Sequence, residues 1–301
     1  MISVIELLYF ELRPTYSDLF FENIMKTRRA NTQMFALPHR PPAWVDLPGG
    51  RYRLEKVFKH DFFAATCLYE LASARGADAL RRVVVKFGRT QPFCGLPCLW
   101  LSELLRAHER DLYAAMAGVR GVPRWAGEFA PAGYAVEYID ARPLDHLDAP
   151  PAGLFDRLRT LFDTIHARGI GYADANKRSN ILVTDAGEAY LIDYQISVRR
   201  RDDWPWPLRA ILRSVVAYLQ RSDLYHLYKH KRRLVPGELT SEEDALSRRR
   251  GWLHTLHRRL TDPWRALRRW FLRAQYRSGR LESPTATLED HRQPEKETWR
   301  G

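Results

Sequence analysis

The stretch Gly171 to Ser197 (GYADANKRSNILVTDAGEAYLIDYQIS) constrains this chain more than any other. A polar loop carrying Asp174 and Asn180 runs into the apolar triplet Ile181-Leu182-Val183. A turn follows at Asp185-Ala186-Gly187, and a second apolar run, Ala189 to Ile192, ends on Asp193. Two β-prone runs separated by an Asp/Gly turn predict a hairpin. Asp174, Asn180 and Asp193 then gather at its open end. That grouping suits a reaction needing a carboxylate base beside one or two hard cations held by oxygen ligands.

Upstream, the texture from Trp44 onward is that of strands. Arg51 to Phe58, Ala64 to Leu71 and the β-branched Arg82 to Phe87 (RVVVKF) are the candidates. Lys86 stands near the end of that last apolar run, where an ammonium must snorkel to water or meet a carboxylate or phosphate. Leu99 to Met116 predicts a helix with Leu101, Leu104, Leu105, His108, Leu112 and Met116 on one face. Glu109 falls on that inward side and Glu103 does not. An inward carboxylate needs a cation, and Lys86 is the candidate. Strands are expected between Arg124 and Tyr138, around the Pro131-Ala132-Gly133 turn. An amphipathic helix over Leu154 to His166, closed by Gly169, leads into the Asp174 loop, with His166 in a packing or capping role.

These motifs in this order resemble the protein-kinase-like superfamily, over roughly Trp44 to Ser197. The chain looks most similar to the minimal bacterial and RIO-like members, including the lipopolysaccharide core kinases. The resemblance implies an α+β, two-lobed fold, with a small β-rich N-lobe and a mostly helical C-lobe. It implies an enzyme that uses ATP and Mg²⁺ (or Mn²⁺) to phosphorylate a hydroxyl on a protein Ser/Thr or a cell-envelope sugar. Lys86 would contact the α- and β-phosphates and Glu109 would hold Lys86. Asp174 would be the base or orienter, Lys177 would neutralise the γ-phosphate, and Asn180 and Asp193 would bind the cation. The backbone from Glu137 to Ile139, in the segment resembling the hinge, would meet the adenine edge. Tyr172 takes the place of the His in the His-Arg-Asp motif, an aromatic packing role.

Three departures accompany the resemblance. Five residues separate Asp174 from Asn180 where the usual loop has four. Tyr194 and Gln195 stand where Phe and Gly follow the metal-binding Asp. The first hairpin, KVFKHDFFAATC, has no GxGxxG, so Lys59 or the amides around Phe62 to Ala65 would grip phosphate instead. An Ala-Pro-Glu motif is also missing, and with it the usual platform for an extended peptide. A catalytically inactive scaffold that binds a nucleotide or partner is the alternative. Against it, Lys86, Glu109, Asp174, Asn180 and Asp193 are all present.

The 301 residues divide, on this reading, into an arm and linker over 1–43, lobes over 44–139 and 140–280, and a disordered polar tail over 281–301. Met25 or Met34 are alternative starts. Beyond Asp193, Trp204-Pro205-Trp206-Pro207 breaks the chain before an apolar helix over Leu208 to Leu219. Three cysteines without paired spacing, and no apolar run near ~20 residues, lead to a cytoplasmic expectation. The net charge is +12, and Lys229 to Arg280 holds 15 Lys/Arg against 5 Asp/Glu. Such an excess implies an anionic partner. Lys229 to Arg233 and a basic, Trp-bearing helix over Trp264 to Arg277 would reach an anionic membrane peripherally, at its inner face, or else the helix packs its apolar stripe on the larger lobe. No nucleic-acid motif accompanies them, so nucleic acid is not an expected partner.

Overall fold

The computed structural model describes residues 36–60, 63–92 and 96–248, and Trp270. Residues 1–35 of the expected arm and linker, the polar tail and the membrane helix lie outside these residues, apart from an exposed, helical Trp270, while the linker over 36–43 lies on the first lobe, with Ala36 buried and the Pro42 carbonyl accepting from Tyr69. Phe62, whose amide was a candidate phosphate contact, also lies outside.

Alternation builds the first lobe. In β4 (Arg82–Gly88), Val83, Val85 and Phe87 are buried on one face, so Lys86 belongs to the other. The neighbouring strands β2 (Gly50–His60) and β3 (Ala64–Ala74) form a long antiparallel hairpin. With β1 (Trp44–Leu47), β5 (Trp125–Phe129) and β6 (Gly133–Glu137) they make one six-stranded antiparallel sheet, ordered β1-β2-β3-β4-β6-β5. Val45, Tyr52, Ala65, Cys67, Tyr69 and the apolar residues of β4 form its core. Burial drives the Cys67 thiol up to about 12, so it is a packing residue and not a nucleophile.

Helix α1 (Leu99–Ala115) crosses between β4 and β5. Its buried side is Ser102, Glu109, Leu112 and Tyr113, continued by Met116. Leu101, expected to point inward, is exposed. The helix turns Glu109 towards the sheet, and that rotation carries Leu101 outward.

After β6 the chain passes through the connecting segment at Tyr138 to Ala141 into the second lobe. There β7 (Arg142–Pro143) joins the hairpin of β9 (Ile181–Val183) and β10 (Ala189–Leu191), and β8 (Ile170–Gly171) pairs with β11 (Val198–Arg199). Helix α2 (Leu154–Ala167) buries Leu154, Phe155, Leu158, Leu161, Phe162 and Ile165, the i, i+3, i+4, i+7 stripe expected of an amphipathic helix. It ends at Gly169, whose φ of 71° suits the left-handed turn that stops a helix. Helix α3 (Trp206–Leu234) is longer than expected: instead of ending near Leu219 it runs 29 residues. Its polar second half reads as surface in the sequence but is packed, with Asp223, His226, Leu227, Tyr228, His230 and Lys231 buried. Helix α4 (Ser241–Arg248) folds back on it, and Glu243 holds Lys231 Nζ with both oxygens at 2.9 Å. Lys231 is therefore 5% exposed and cannot face a membrane, and Arg232 donates to Ser247. Within Lys229 to Arg233 only Arg233 is openly exposed.

The order of elements is that of the protein-kinase-like fold: an antiparallel sheet carrying Lys86, one crossing helix carrying Glu109, a connecting segment, then a helical lobe with the Asp174 loop and its hairpin. No described helix is long and apolar enough to cross a membrane.

Candidate active site

Four elements supply the site. Lys86 projects from β4 on the face away from the sheet core, in a row of direct cross-strand partners, Lys59, Thr66, Lys86 and Tyr134. Residues opposite one another in a sheet share a face, so Lys59 stands on the Lys86 side. Lys86 Nζ lies 3.1 Å from Glu109 Oε1 and 3.1 Å from Asp193 Oδ1, and so joins both lobes. Burial alone would lower the ammonium's pKa, but Asp193 and Glu109 outweigh it and hold it above the usual range. Glu109 is 1% exposed and its Oε2 has no hydrogen-bond partner among the described residues. Desolvation raises its pKa in spite of Lys86.

The Asp174 loop accommodates its extra residue in consecutive turns. The Lys177 amide donates to the Asp174 carbonyl and the Asn180 amide to the Lys177 carbonyl, closing in a short 3₁₀ turn over Arg178–Asn180. Asn180 Nδ2 thereby reaches Asp174 Oδ2 at 2.7 Å, and Lys177 Nζ reaches the same oxygen at 2.6 Å. The Ile192 amide donates to the Asn180 carbonyl, which ties the loop to the far end of the hairpin, next to Asp193. Ala173 and Asp193 both adopt left-handed backbone, with φ of 69° and 62°. Non-glycine residues in that region cost about 1 kcal/mol or more, and such conformations cluster at functional sites.

The two aspartates differ in proton affinity. Burial raises the pKa of Asp174 and prevails over the pull of Lys177 and Asn180. At Asp193 burial pushes the same way, but Lys86, with Lys177 and Lys59 behind it, holds the carboxyl below its usual range. Neighbouring carboxylates pushed apart in this way are suited to different roles.

Glu137 ends β6 and Ile139 lies in the segment connecting the lobes. The Glu137 amide donates to the Arg124 carbonyl, and its carboxylate bonds the Arg124 amide and guanidinium. The Tyr138 amide donates to Arg82, while the Ile139 backbone makes no hydrogen bond among the described residues. That leaves Ile139 able to offer a donor and an acceptor to a planar ligand edge.

Asp223, on α3, carries part of the site's support and was not read from the sequence. It is fully buried; Oδ2 accepts from the Tyr172 amide at 2.8 Å and from His166 at 3.1 Å, and Oδ1 accepts from the Ala173 amide at 2.9 Å. Its pKa is raised by burial, against the pull of His166 and the Tyr172 and Ala173 amides. A Cβ at Gly171 would lie 2.6 Å from the Leu219 side chain, so glycine there lets the loop approach α3 closely. An aromatic file, Tyr113, Tyr194 and Tyr172, packs edge to face at 5.2 and 5.3 Å between α1 and the loop. Replacing Asp223 with Ala leaves two buried amides and His166 unpaired. The expected cost is about 2–4 kcal/mol, read as a lower urea midpoint. A loss under ~1 kcal/mol would show that water or neighbours satisfy the loop instead.

His230 bonds the Ala175 carbonyl at 3.0 Å from the same helix. Desolvation, aided by Lys229, Arg178 and Arg233 and opposed by the Ala175 bond, lowers its pKa to about 4. The unfolded chain then binds a proton near pH 6.5 that the folded one refuses until about 4. Stability from this group is complete above pH ~6.5 and lost as pH falls through that window. Unfolding titrations from pH 7 to 4 should show a smaller decline in His230→Gln than in wild type; equal slopes would assign the loss to other groups.

No protein-family model matches this sequence, and no curated protein does. Among solved structures, the chain is similar to the Rio2 kinase from Chaetomium thermophilum, at 15% identity over 64% of this chain and 63% of that one, with a TM-score of 0.45. A second similar structure is the same organism's Rio2 kinase–ADP/Mg²⁺–phosphoaspartate complex, at 14% identity over 64% and 61%, with a TM-score of 0.44. The match spans less than two thirds of either Rio2 chain. Likeness at this level does not carry over what those proteins bind, and the fold assignment rests on the order of elements described above.

Proposed function

We propose that the protein is an ATP- and Mg²⁺-dependent phosphotransferase acting on a hydroxyl. The observation that carries this reading is the convergence of Lys86, 3.1 Å from both Glu109 and Asp193, with Asp174, which Lys177 and Asn180 reach at 2.6 and 2.7 Å. Among the described residues no cluster of three or more His, Cys, Asp or Glu side chains could hold a metal. A cation here would have Asp193 and Asn180 as its side-chain ligands and complete its shell with phosphate oxygens and water, which fits Mg²⁺ or Mn²⁺. When bound, it would neutralise charge on the triphosphate.

Lys86, oriented by Glu109, contacts the α- and β-phosphates, and Lys59 on the same sheet face adds positive charge. The backbone between Glu137 and Ile139 receives the adenine edge. Asp174 accepts the proton of the attacking hydroxyl as its oxygen bonds the γ-phosphorus. The bond from that phosphorus to the β-phosphate bridging oxygen then breaks and ADP leaves. Lys177, already on Asp174, stands ready for the transferring group. The acceptor is a protein Ser/Thr or a cell-envelope sugar, the latter with the enzyme peripheral to the inner membrane face.

Purified protein should turn over ATP only with Mg²⁺ or Mn²⁺ and only when a competent acceptor from a protein and glycolipid panel is added. Tight Mg·ATP binding with no turnover across the panel would favour the inactive scaffold. Absence of Mg·ATP binding would end the reading.

A further inference from the structure

We propose that the acceptor hydroxyl belongs to a sugar that already carries a phosphate group, bound by the cationic face formed where the Asp174 loop meets α3; this rests on the phosphotransfer reading above. Lys177 and Arg178 come from the loop, and Lys229 and Arg233 from α3. Lys229 Nζ donates to Asn176 Oδ1 at 3.2 Å, and His230 beside it bonds the Ala175 carbonyl at 3.0 Å, so this part of the helix lies directly on the loop. Arg233 is four residues on from Lys229 and shares its side of the helix. The cations are close enough that Lys229, Arg178 and Arg233 all act on the buried His230 imidazole.

Two of them lack counter-charge among the described residues. Asp174 takes Lys177, but neither the Arg178 nor the Arg233 side chain has a hydrogen bond or ion pair with a described residue. Two unmatched guanidiniums where the Asp174 loop meets α3 offer forked donors, the arrangement that recognises phosphate oxygens bidentately. The site lies on the loop side, across the cleft from the Lys86 and Lys59 sheet face, so its phosphate need not be one of the nucleotide's.

A sugar is favoured over a phosphopeptide because of the connection after Asp193. Only 12 residues join it to α3, and part of them is the two-residue strand β11, already paired with β8. That leaves little free backbone along which an extended peptide could lie.

The test is calorimetric titration of inorganic phosphate into protein saturated with Mg·ADP, which fills the α- and β-phosphate positions; phosphate in the open γ position would meet Lys177, which every variant keeps. Wild type should bind phosphate saturably, and Arg178→Gln/Arg233→Gln should bind it at least ~10-fold more weakly with unchanged Mg·ADP affinity. Arg233→Gln alone, at an exposed position, should weaken it measurably if the double variant misfolds. A hexose phosphate should displace inorganic phosphate at lower concentration than a phosphoserine peptide. Phosphate that binds both proteins equally, or neither, overturns the site, and preferential displacement by the peptide overturns the sugar assignment. If Mg·ADP itself fails to bind, the phosphotransfer reading falls and the acceptor role falls with it.

Discussion

Asp174→Asn should lower kcat by ~10²–10⁴-fold while ATP affinity stays within a few-fold. The amide is nearly isosteric and keeps an oxygen for Lys177 and Asn180, so the loop should hold its shape. What disappears is the ability to take a proton from the attacking hydroxyl. That loss appears in the transition state and hardly at all in nucleotide binding, which separates kcat from KM for ATP. A second signature follows from burial. Because desolvation holds the Asp174 pKa above its ordinary value, the acid limb of kcat/KM should lie at higher pH than an exposed aspartate would give. It should vanish in the residual activity of Asp174→Asn. Turnover of the variant within threefold of wild type would move the base elsewhere.

Asp193→Ala should reduce Mg²⁺-dependent ATP affinity by about 100-fold or more, since on the proposed reading it removes one of two side-chain ligands and the only charged one. Calorimetry with and without Mg²⁺ gives the decisive contrast. Without the cation, deleting a carboxylate that faces the triphosphate should leave binding no weaker, because a like charge has been removed. Asp193→Asn is the paired variant. Asn tolerates the left-handed backbone at this position better than Ala, so it separates lost charge from lost conformation. Equal Mg·ATP affinity in wild type and both variants would remove the basis for placing the cation here.

Much of this site was legible because its chemistry is local in sequence. Asp174, Asn180 and Asp193 fall within 20 consecutive residues, and a hairpin predicted from its turn is enough to gather them. Glu109 was legible for a different reason: helical phase distinguishes it from Glu103, and the ion pair with Lys86 follows at 3.1 Å. Phase was less reliable at the helix start, where Leu101 is exposed although its spacing placed it on the apolar stripe. Asp223 was not legible. It stands in a run of polar and aromatic residues, RSDLYHLYKHKRR, that reads as surface. Only the tertiary fold shows that its partners are backbone amides 50 and 51 residues away. Amides have no side chain to leave a trace. The same blindness explains why α3 was read as ending near Leu219. Its second half packs Leu224, Leu227, Tyr228 and Leu234 on the core but interleaves them with the buried Asp223, His226, His230 and Lys231, so hydrophobic period alone under-reports it.

The carboxylate of Asp223 also sets how this molecule should come apart. With the Tyr172 and Ala173 amides both anchored on α3, their protons can exchange with solvent only when the helix and the loop separate. Their exchange rates should therefore match those of the α3 core amides around Leu227, and all should slow or quicken together as denaturant is varied. On gentle heating, inactivation would then coincide with release of this one helix and precede melting of the β-sheet lobe, whose Val83, Val85 and Tyr69 core is separate. The loop has no independent way to loosen: it is as durable as the helix on which it is hung.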